Sequence, residues 1–156
     1  MAEVKYGLVE GPDKGREYPA AVTQYFHRLG GKFVYLNNGN VTLAASNTNV
    51  WGWARVPKCD AGKNGYKTVS GDKLFVVYGS DEDVFEVPVK EVAASLAASQ
   101  IGLNFKLVHV GATYALIQKA KVGNTNATTG AVNVIGIDTT NKTVLVRTVA
   151  KFRQET

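Results

Sequence analysis

The sequence predicts a mainly β protein: a small β-barrel or sandwich of about eight short strands, with one short helix and an extended N-terminal arm. Short runs of β-branched and aromatic residues recur along the chain at roughly even spacing. Gly, Asn and Asp residues separate these runs, as expected for tight turns between strands. Hydrophobic residues make up 45% of the 156 residues, which is typical of one folded domain.

The first 32 residues differ from the rest of the chain. Gly and Pro interrupt every candidate element, and aromatic residues occur singly or in pairs. Such a segment either wraps its own domain or docks on another chain, and the alternative is a flexible terminus. We divide the chain into an N-terminal arm, 1–32, and a β-barrel domain, 33–156, which is expected to fold without the arm. The residues of the arm expected to contact a partner are Tyr6, Tyr18, Tyr25, Phe26 and Arg28.

From Phe33 onward the chain alternates between strand and turn signals. Asn37–Asn40 predicts the clearest hairpin, because Asn and Gly tolerate positive φ. Leu74–Tyr78 is continuously apolar, which indicates burial on both faces. Pro88 places Val84–Val89 at a sheet edge or a strand end. The predicted strands are 33–36, 41–45, 50–56, 74–78, 84–89, 105–110, 114–117, 132–137 and 143–150.

The C-terminal half contains the predicted helix and a basic strand. Apolar residues at helical spacing among alanines predict a helix over 90–99, which is too short to be stable without packing on the β structure. The last strand alternates, with one face for the core and the other apolar and basic. This second face supplies three further expected partner contacts, Arg147, Lys151 and Arg153.

Motifs for catalysis or metal binding are not recognisable in the sequence. His27 and His109 are far apart and lack metal-ligand spacing, which favours surface or partly packed histidines. The single cysteine, Cys59, precludes an intramolecular disulfide and is interpreted as inert. The acidic segment Gly79–Asp83 has no EF-hand pattern and is expected to be a solvated hairpin loop. We therefore expect no enzyme activity, no metal and no cofactor.

Trp51 and Trp53 leave two interpretations open. On a regular strand they would share one face with Arg55 beside them, and an exposed platform of this kind stacks on bases or sugars. The alternative is burial in a core or an interface, because Trp supplies a large apolar area. The first interpretation corresponds to a nucleic-acid-binding or carbohydrate-binding β-barrel module.

The charge balance permits an acidic partner without requiring one. Lys and Arg number 18 against 13 Asp and Glu, giving a net charge of +5 with no long run of like charges. The sequence shows neither a secretory signal nor an apolar stretch of membrane-spanning length. Synthesis in a reducing cytoplasm and no membrane association are therefore expected, and a nucleic-acid partner is disfavoured.

The order of these segments resembles the small β-barrel decoration, or cement, proteins of tailed-phage heads. The resemblance covers about residues 33–156 and rests on barrel-building patterns. The segments that carry it are Val41–Ala44, Val50–Ala54, Val69–Val77, Phe85–Val89, the Ala-rich stretch ending at Ile101–Leu103, Val132–Ile137 and Val144–Phe152.

The resemblance implies a structural virion protein on the outer face of the capsid, made in the host cytoplasm. Its expected partner is the major capsid protein, whose neighbouring copies it would cement against internal DNA pressure. Repeated weak contacts would act together through multivalency. A homotrimer is favoured over a homodimer, since such proteins sit at symmetric positions of the capsid.

Overall fold

A computed structural model of the chain describes residues 6–11, 14–30, 32–44, 49–56, 58–80, 82–90, 96–122, 127 and 130–149. Within these residues the chain is mainly β, as predicted, and forms two larger sheets and a small one. The thirteen strands are β1 (Gly7–Glu10), β2 (Gly15–Pro19), β3 (Tyr25–His27), β4 (Lys32–Asn37), β5 (Asn40–Leu43), β6 (Gly52–Ala54), β7 (Gly65–Lys67), β8 (Lys73–Tyr78), β9 (Val84–Pro88), β10 (Asn104–Val110), β11 (Ile117–Lys121), β12 (Val132–Asp138) and β13 (Thr143–Thr148).

The strands pair antiparallel in sheets of six, five and two strands. The six-stranded sheet has the order β1-β9-β13-β12-β10-β11, the five-stranded sheet β2-β8-β6-β4-β5, and the small sheet β3-β7. Both larger sheets curl, because isolated bridges bring their distant strands together at Ala20 with Val41 and at Val89 with Ala120. Curling covers strand edges that would otherwise be open to pairing with other chains.

The main core lies between the two larger sheets, so the architecture is a small β sandwich. Phe33, Trp53 and Val77 of the five-stranded sheet meet Phe85 and Val146 of the six-stranded sheet, and all five are buried. The rings of Phe33 and Trp53 are edge to face at 4.8 Å, and Trp53 stacks on Phe85 at 5.3 Å. The alternation of apolar residues in β9 and β13 therefore faces the core as predicted.

A second core lies on the opposite face of the five-stranded sheet. It contains buried side chains of β3, β4, β5, β6 and β8, together with Trp51 and Ala20. Leu74 and Val76 of β8 point into it, whereas Val77 points into the main core. Burial on both faces, predicted from the apolar run of β8, is confirmed.

The arm is part of the sandwich in its described residues. β1 pairs with β9, β2 with β8 and β3 with β7, so three strands of this segment complete three sheets. Of the two roles considered for the segment, the pairing corresponds to wrapping its own domain. Gly11 follows β1 and Gly30 follows β3, at points where the segment passes from one sheet to the next.

Several local predictions need correction. The described residues form thirteen strands, more than the nine ranges predicted, because the arm and residues 65–67 also form strands. The predicted strand at 114–117 is instead a 3₁₀ helix, Thr113–Ala115, followed by β11. Residues 91–95 of the helix predicted at 90–99 lie outside the described residues, and its described end, Ala98 and Ser99, belongs to a 3₁₀ helix, Ala98–Gln100. The hairpin at Asn37–Asn40 is confirmed, with φ of 51° at Asn38 and 80° at Gly39.

Candidate partner-binding surfaces

Tyr6 and Arg28, two of the predicted contact residues, lie at one surface groove. The Tyr6 backbone N–H donates to the Leu29 carbonyl at 2.7 Å, which fixes the start of β1 against the β3–β4 connection. The groove between these segments has a volume of about 500 Å³, and Val9 and Arg55 also line it. The structure therefore places together two residues that are 22 positions apart in the sequence.

The groove is amphipathic. Val9 is 54% exposed and provides apolar surface, whereas Trp53 is almost completely buried beneath it. The Arg55 guanidinium lies 4.9 Å from the centroid of the Phe75 ring. Burial, with a smaller effect of the nearby Glu86 carboxylate, raises the pKa of Tyr6. Apolar, cationic and hydroxyl groups at one concave surface are the composition of a protein contact site.

Phe26 is corrected from a partner contact to a core residue. Its side chain is completely buried in the second core, and the Lys32 ammonium lies 5.9 Å from its ring centroid. The alternation of β3 accounts for this position, since Tyr25 and His27 on either side are only half-buried. Phe26 thus anchors the arm to its own domain.

The other predicted contacts lie at separate places. Tyr18 is half-buried, and its hydroxyl donates to the Tyr78 hydroxyl at 3.0 Å. Tyr25 is half-buried on the small sheet, beside Tyr114. Arg147 is half-buried on β13, opposite Asn133 of β12. Lys151 and Arg153 lie outside the described residues.

The two tryptophans are buried on opposite faces of the five-stranded sheet. Trp51 is 7% exposed in the second core, and Trp53 is 4% exposed in the main core. The Val34 carbonyl accepts the backbone N–H of Trp51 at 2.7 Å, although the residue paired with Val34 is Gly52. Two residues therefore lie opposite one, as in a β-bulge, and the expected alternation of Trp51 and Trp53 is reversed. The interpretation as an exposed aromatic platform on one face is therefore wrong.

Lys32 is a buried cation that the sequence did not reveal. It is 2% exposed, and its ammonium donates to the carbonyls of Tyr25 at 2.7 Å and Leu116 at 2.8 Å. Burial lowers the pKa of Lys32 to about 7. No local pattern marks this lysine, because the two carbonyls belong to segments distant in sequence.

The segment Gly79–Asp83 connects the two larger sheets and is not a hairpin loop. β8 belongs to the five-stranded sheet and β9 to the six-stranded sheet, so the two strands do not pair. Asp83 is 1% exposed and accepts a hydrogen bond from the Ser80 hydroxyl at 2.8 Å. The expectation of a solvated hairpin loop was wrong, since Asp83 is buried where the chain changes sheets.

The remaining candidate residues have modest surroundings. His27 and His109 are both half-buried, as expected, and burial lowers the pKa of His109. Cys59 is exposed. In the part of the chain that the structure describes, no group of three or more His, Cys, Asp or Glu residues is placed to hold a metal ion. None of the described helices is long and apolar enough to cross a membrane.

Two surface features escaped the sequence reasoning. Val22 and Val69 are each 55% exposed at adjacent loops, which are held together by the Thr23 N–H donating to the Thr68 carbonyl at 2.9 Å. Tyr114 lies edge to face with Tyr25 at 5.2 Å, close to two lysines. Both features arise from contacts between segments distant in sequence, for which a single sequence carries no periodic signal.

Together, the fold and these surfaces define a small, mainly β sandwich protein with an amphipathic groove beside its first described strand. Comparison of the chain with protein-family models, with curated proteins and with solved structures gives no match.

Proposed function

We propose that the protein is a structural virion protein that binds the outer face of a tailed-phage head and cements neighbouring major capsid proteins. The observation that carries the proposal is the groove at β1, where Tyr6, Val9 and Arg28 present aromatic, apolar and cationic groups together. Large aromatic and arginine side chains supply much of the binding energy at protein interfaces. The order of the strand segments, similar to that of decoration proteins, supports the capsid as the partner.

The construction of the sandwich suits a load-bearing role. The Gln118 side chain of the six-stranded sheet accepts the Phe33 N–H at 2.7 Å and donates to the carbonyls of Phe33 and Ala44, at 3.1 Å and 3.0 Å, in the other sheet. Buried hydrogen bonds between layers resist sliding of one sheet on the other, because separation would leave polar groups unpaired. These bonds couple the two sheets, as a cementing role under internal pressure would require.

The nucleic-acid-binding or carbohydrate-binding alternative has lost one of the two observations that motivated it. An exposed platform needs Trp51 and Trp53 on one open face, and both indoles are buried. Of the basic stripe Arg147, Lys151 and Arg153, which also motivated it, only Arg147 lies in the described residues, and it is half-buried. The capsid proposal does not depend on Trp51 and Trp53, because they form the two cores.

The proposal is tested on purified particles. Phage heads are isolated on a density gradient from a phage-producing culture that carries the gene. The protein is expected in the same gradient fraction as the major capsid protein. Recovery only among free proteins, with heads intact, would contradict the proposal.

The groove is tested by reconstituting heads that lack the protein with purified variants. Val9→Asp is expected to weaken binding at least tenfold, because a carboxylate in the groove would be desolvated on docking. Ile101→Asp is the matched control, since Ile101 is also exposed, at 46%, and lies outside the groove. Equal binding by both variants, each folded by circular dichroism, would exclude the groove as the contact.

A further inference from the structure

A second surface, formed by Tyr25, Lys63, Lys67 and Tyr114, is here called the tyrosine–lysine face. It shares no residue with the groove at β1. Tyr25 of β3 is paired with Lys67 of β7, and the Lys67 ammonium lies 5.9 Å from the centroid of the Tyr25 ring. The Lys63 ammonium lies 5.5 Å from the centroid of the Tyr114 ring. Each lysine is thus held over an aromatic ring.

Hydrogen bonds hold this face in place. The Asp60 carboxylate accepts the Tyr114 hydroxyl at 2.8 Å and the Lys67 backbone N–H at 3.0 Å. The loop that carries Lys63 is closed by two backbone bonds, from the Asp60 N–H to the Gly65 carbonyl at 2.7 Å and from the Lys63 N–H to the Asp60 carbonyl at 3.0 Å. The backbone that carries the two lysines is therefore fixed before a ligand binds, which reduces the entropic cost of binding.

The positive charge of this face is only partly balanced within the described part of the chain. The Asp60 carboxylate bonds to the Tyr114 hydroxyl and the Lys67 backbone N–H, whereas the ammonium groups of Lys63 and Lys67 lie against tyrosine rings. Lys63 is exposed and Lys67 is half-buried, so both ammonium groups can reach a partner. The chain as a whole carries a net charge of +5, which adds long-range attraction for an anionic partner.

The arrangement of the rings selects among anionic partners. Tyr25 and Tyr114 lie edge to face at an angle of 82°, and a lysine lies over each ring. Stacking of nucleic-acid bases requires free ring faces. A carboxylate, in contrast, can bind to the ammonium groups and to the edges of the tyrosine rings without a free ring face.

We propose that the tyrosine–lysine face binds an acidic segment of a partner protein through the ammonium groups of Lys63 and Lys67. The proposal rests on the geometry of this face and not on the capsid function, so each can fail while the other stands. Charge complementarity at such a surface chiefly raises the association rate and selects the partner.

The test uses the full chain and a capped decaglutamate peptide, with decaglutamine as the neutral probe. Titration followed by amide chemical shifts is expected to show saturable binding of decaglutamate only, with shifts at the tyrosine–lysine face that diminish at high salt. The variant Lys63→Gln/Lys67→Gln is expected to bind at least fivefold more weakly. Lys63→Arg/Lys67→Arg is expected to retain binding, because the positive charges remain.

The matched control is Lys14→Gln/Lys121→Gln, which removes the same charge from two exposed lysines elsewhere. It is expected to bind decaglutamate like the parent protein. Equal weakening of both Gln variants would overturn the proposal, because binding would then follow net charge alone. Absence of decaglutamate binding would also overturn it, as would tighter binding of a ten-nucleotide oligothymidylate at the same residues, which would identify nucleic acid as the ligand.

Discussion

At the scale of single residues, two buried polar side chains hold parts of the molecule that are distant in sequence. Lys32 joins the β3 backbone to the segment before β11, and Gln118 joins the two larger sheets. Both side chains are almost completely buried, so water cannot take the place of their hydrogen-bond partners. Each of these two residues therefore leads to a testable prediction about the free energy of unfolding.

Lys32 is expected to make the protein more stable as pH rises from 7 towards 10. Its pKa in the folded protein, about 7, is below the value of about 10.4 in an unfolded chain. The unfolded chain therefore binds more protons in this range, and the free energy of unfolding increases with pH, by at most about 1.4 kcal/mol per pH unit. Urea unfolding at half-unit pH intervals measures this slope.

The variant Lys32→Met isolates the effect. It keeps the apolar stem and removes the titrating group, so its slope between pH 7 and pH 10 is expected to be smaller than that of the parent protein. Burial and Lys32 lower the pKa of the nearby His109, which therefore stays neutral in this range. Parallel slopes for the two proteins would show that Lys32 does not titrate there.

Gln118→Leu is expected to lower the free energy of unfolding by about 3 kcal/mol, because buried polar groups of Phe33 and Ala44 lose their partner. Guanidinium unfolding measures the change, with an unchanged m-value expected. Lys121→Ala, at an exposed position on the same strand, is the control and is expected to change stability by less than about 0.5 kcal/mol. A similar small change for Gln118→Leu would contradict the role of Gln118 as a link between sheets.

At the scale of elements, the arm and the bulge at Trp51 determine the architecture. β1, β2 and β3 each add a strand to a different sheet, and Phe26 of β3 fills the second core. The bulge places Trp51 in the second core and Trp53 in the main core, so one short segment contributes a tryptophan to each core. The described residues of the arm, 6–11 and 14–30, are therefore part of the folded domain.

A chain that begins at residue 33 is expected not to fold, contrary to the expectation from the sequence. Removing β1 to β3 exposes strands β7, β8 and β9 and leaves the space of Phe26 empty. Truncation of a buried Phe alone costs about 3–5 kcal/mol, which is comparable to the stability of many small domains. The measurement is the dispersion of amide resonances, with a chain lacking only residues 1–5 as the control. A dispersed spectrum and cooperative unfolding of the chain from residue 33 would show that the arm is dispensable.

At the scale of the whole molecule, the sandwich presents two separate surfaces, the groove at β1 and the tyrosine–lysine face. The first combines apolar and polar groups, and the second is dominated by lysine charge. If both surfaces bind as proposed, one small domain connects two partners, with avidity greater than that of either contact.

The protein is expected to form a homotrimer in solution. Three subunits provide three copies of each surface, which matches a symmetric position on a capsid and multiplies weak contacts. Sedimentation equilibrium is expected to give three times the chain mass of 16.8 kDa. A mass of one chain at micromolar concentration would contradict the trimer, and a mass of two chains would indicate the homodimer.

The sequence by itself determined the features that depend on neighbouring residues. Alternation in β9 and β13, the apolar run of β8 and the Asn38-Gly39 turn were predictable because side-chain direction and turn geometry are local properties. The mainly β class followed from these patterns. At the two candidate surfaces, the sequence singled out Tyr6, Tyr25 and Arg28 as expected partner contacts. It did not identify the groups that surround them.

Only the tertiary structure decided where the chain changes sheets and which distant residues meet. The bulge at Trp51, the burial of Phe26 and the environment of Lys32 depend on strand pairing between remote segments. The tyrosine–lysine face joins Tyr25, Lys63 and Tyr114 from three such segments. Pairing over long separations is selected by the burial and hydrogen bonding of the whole fold, for which no local pattern in the sequence suffices.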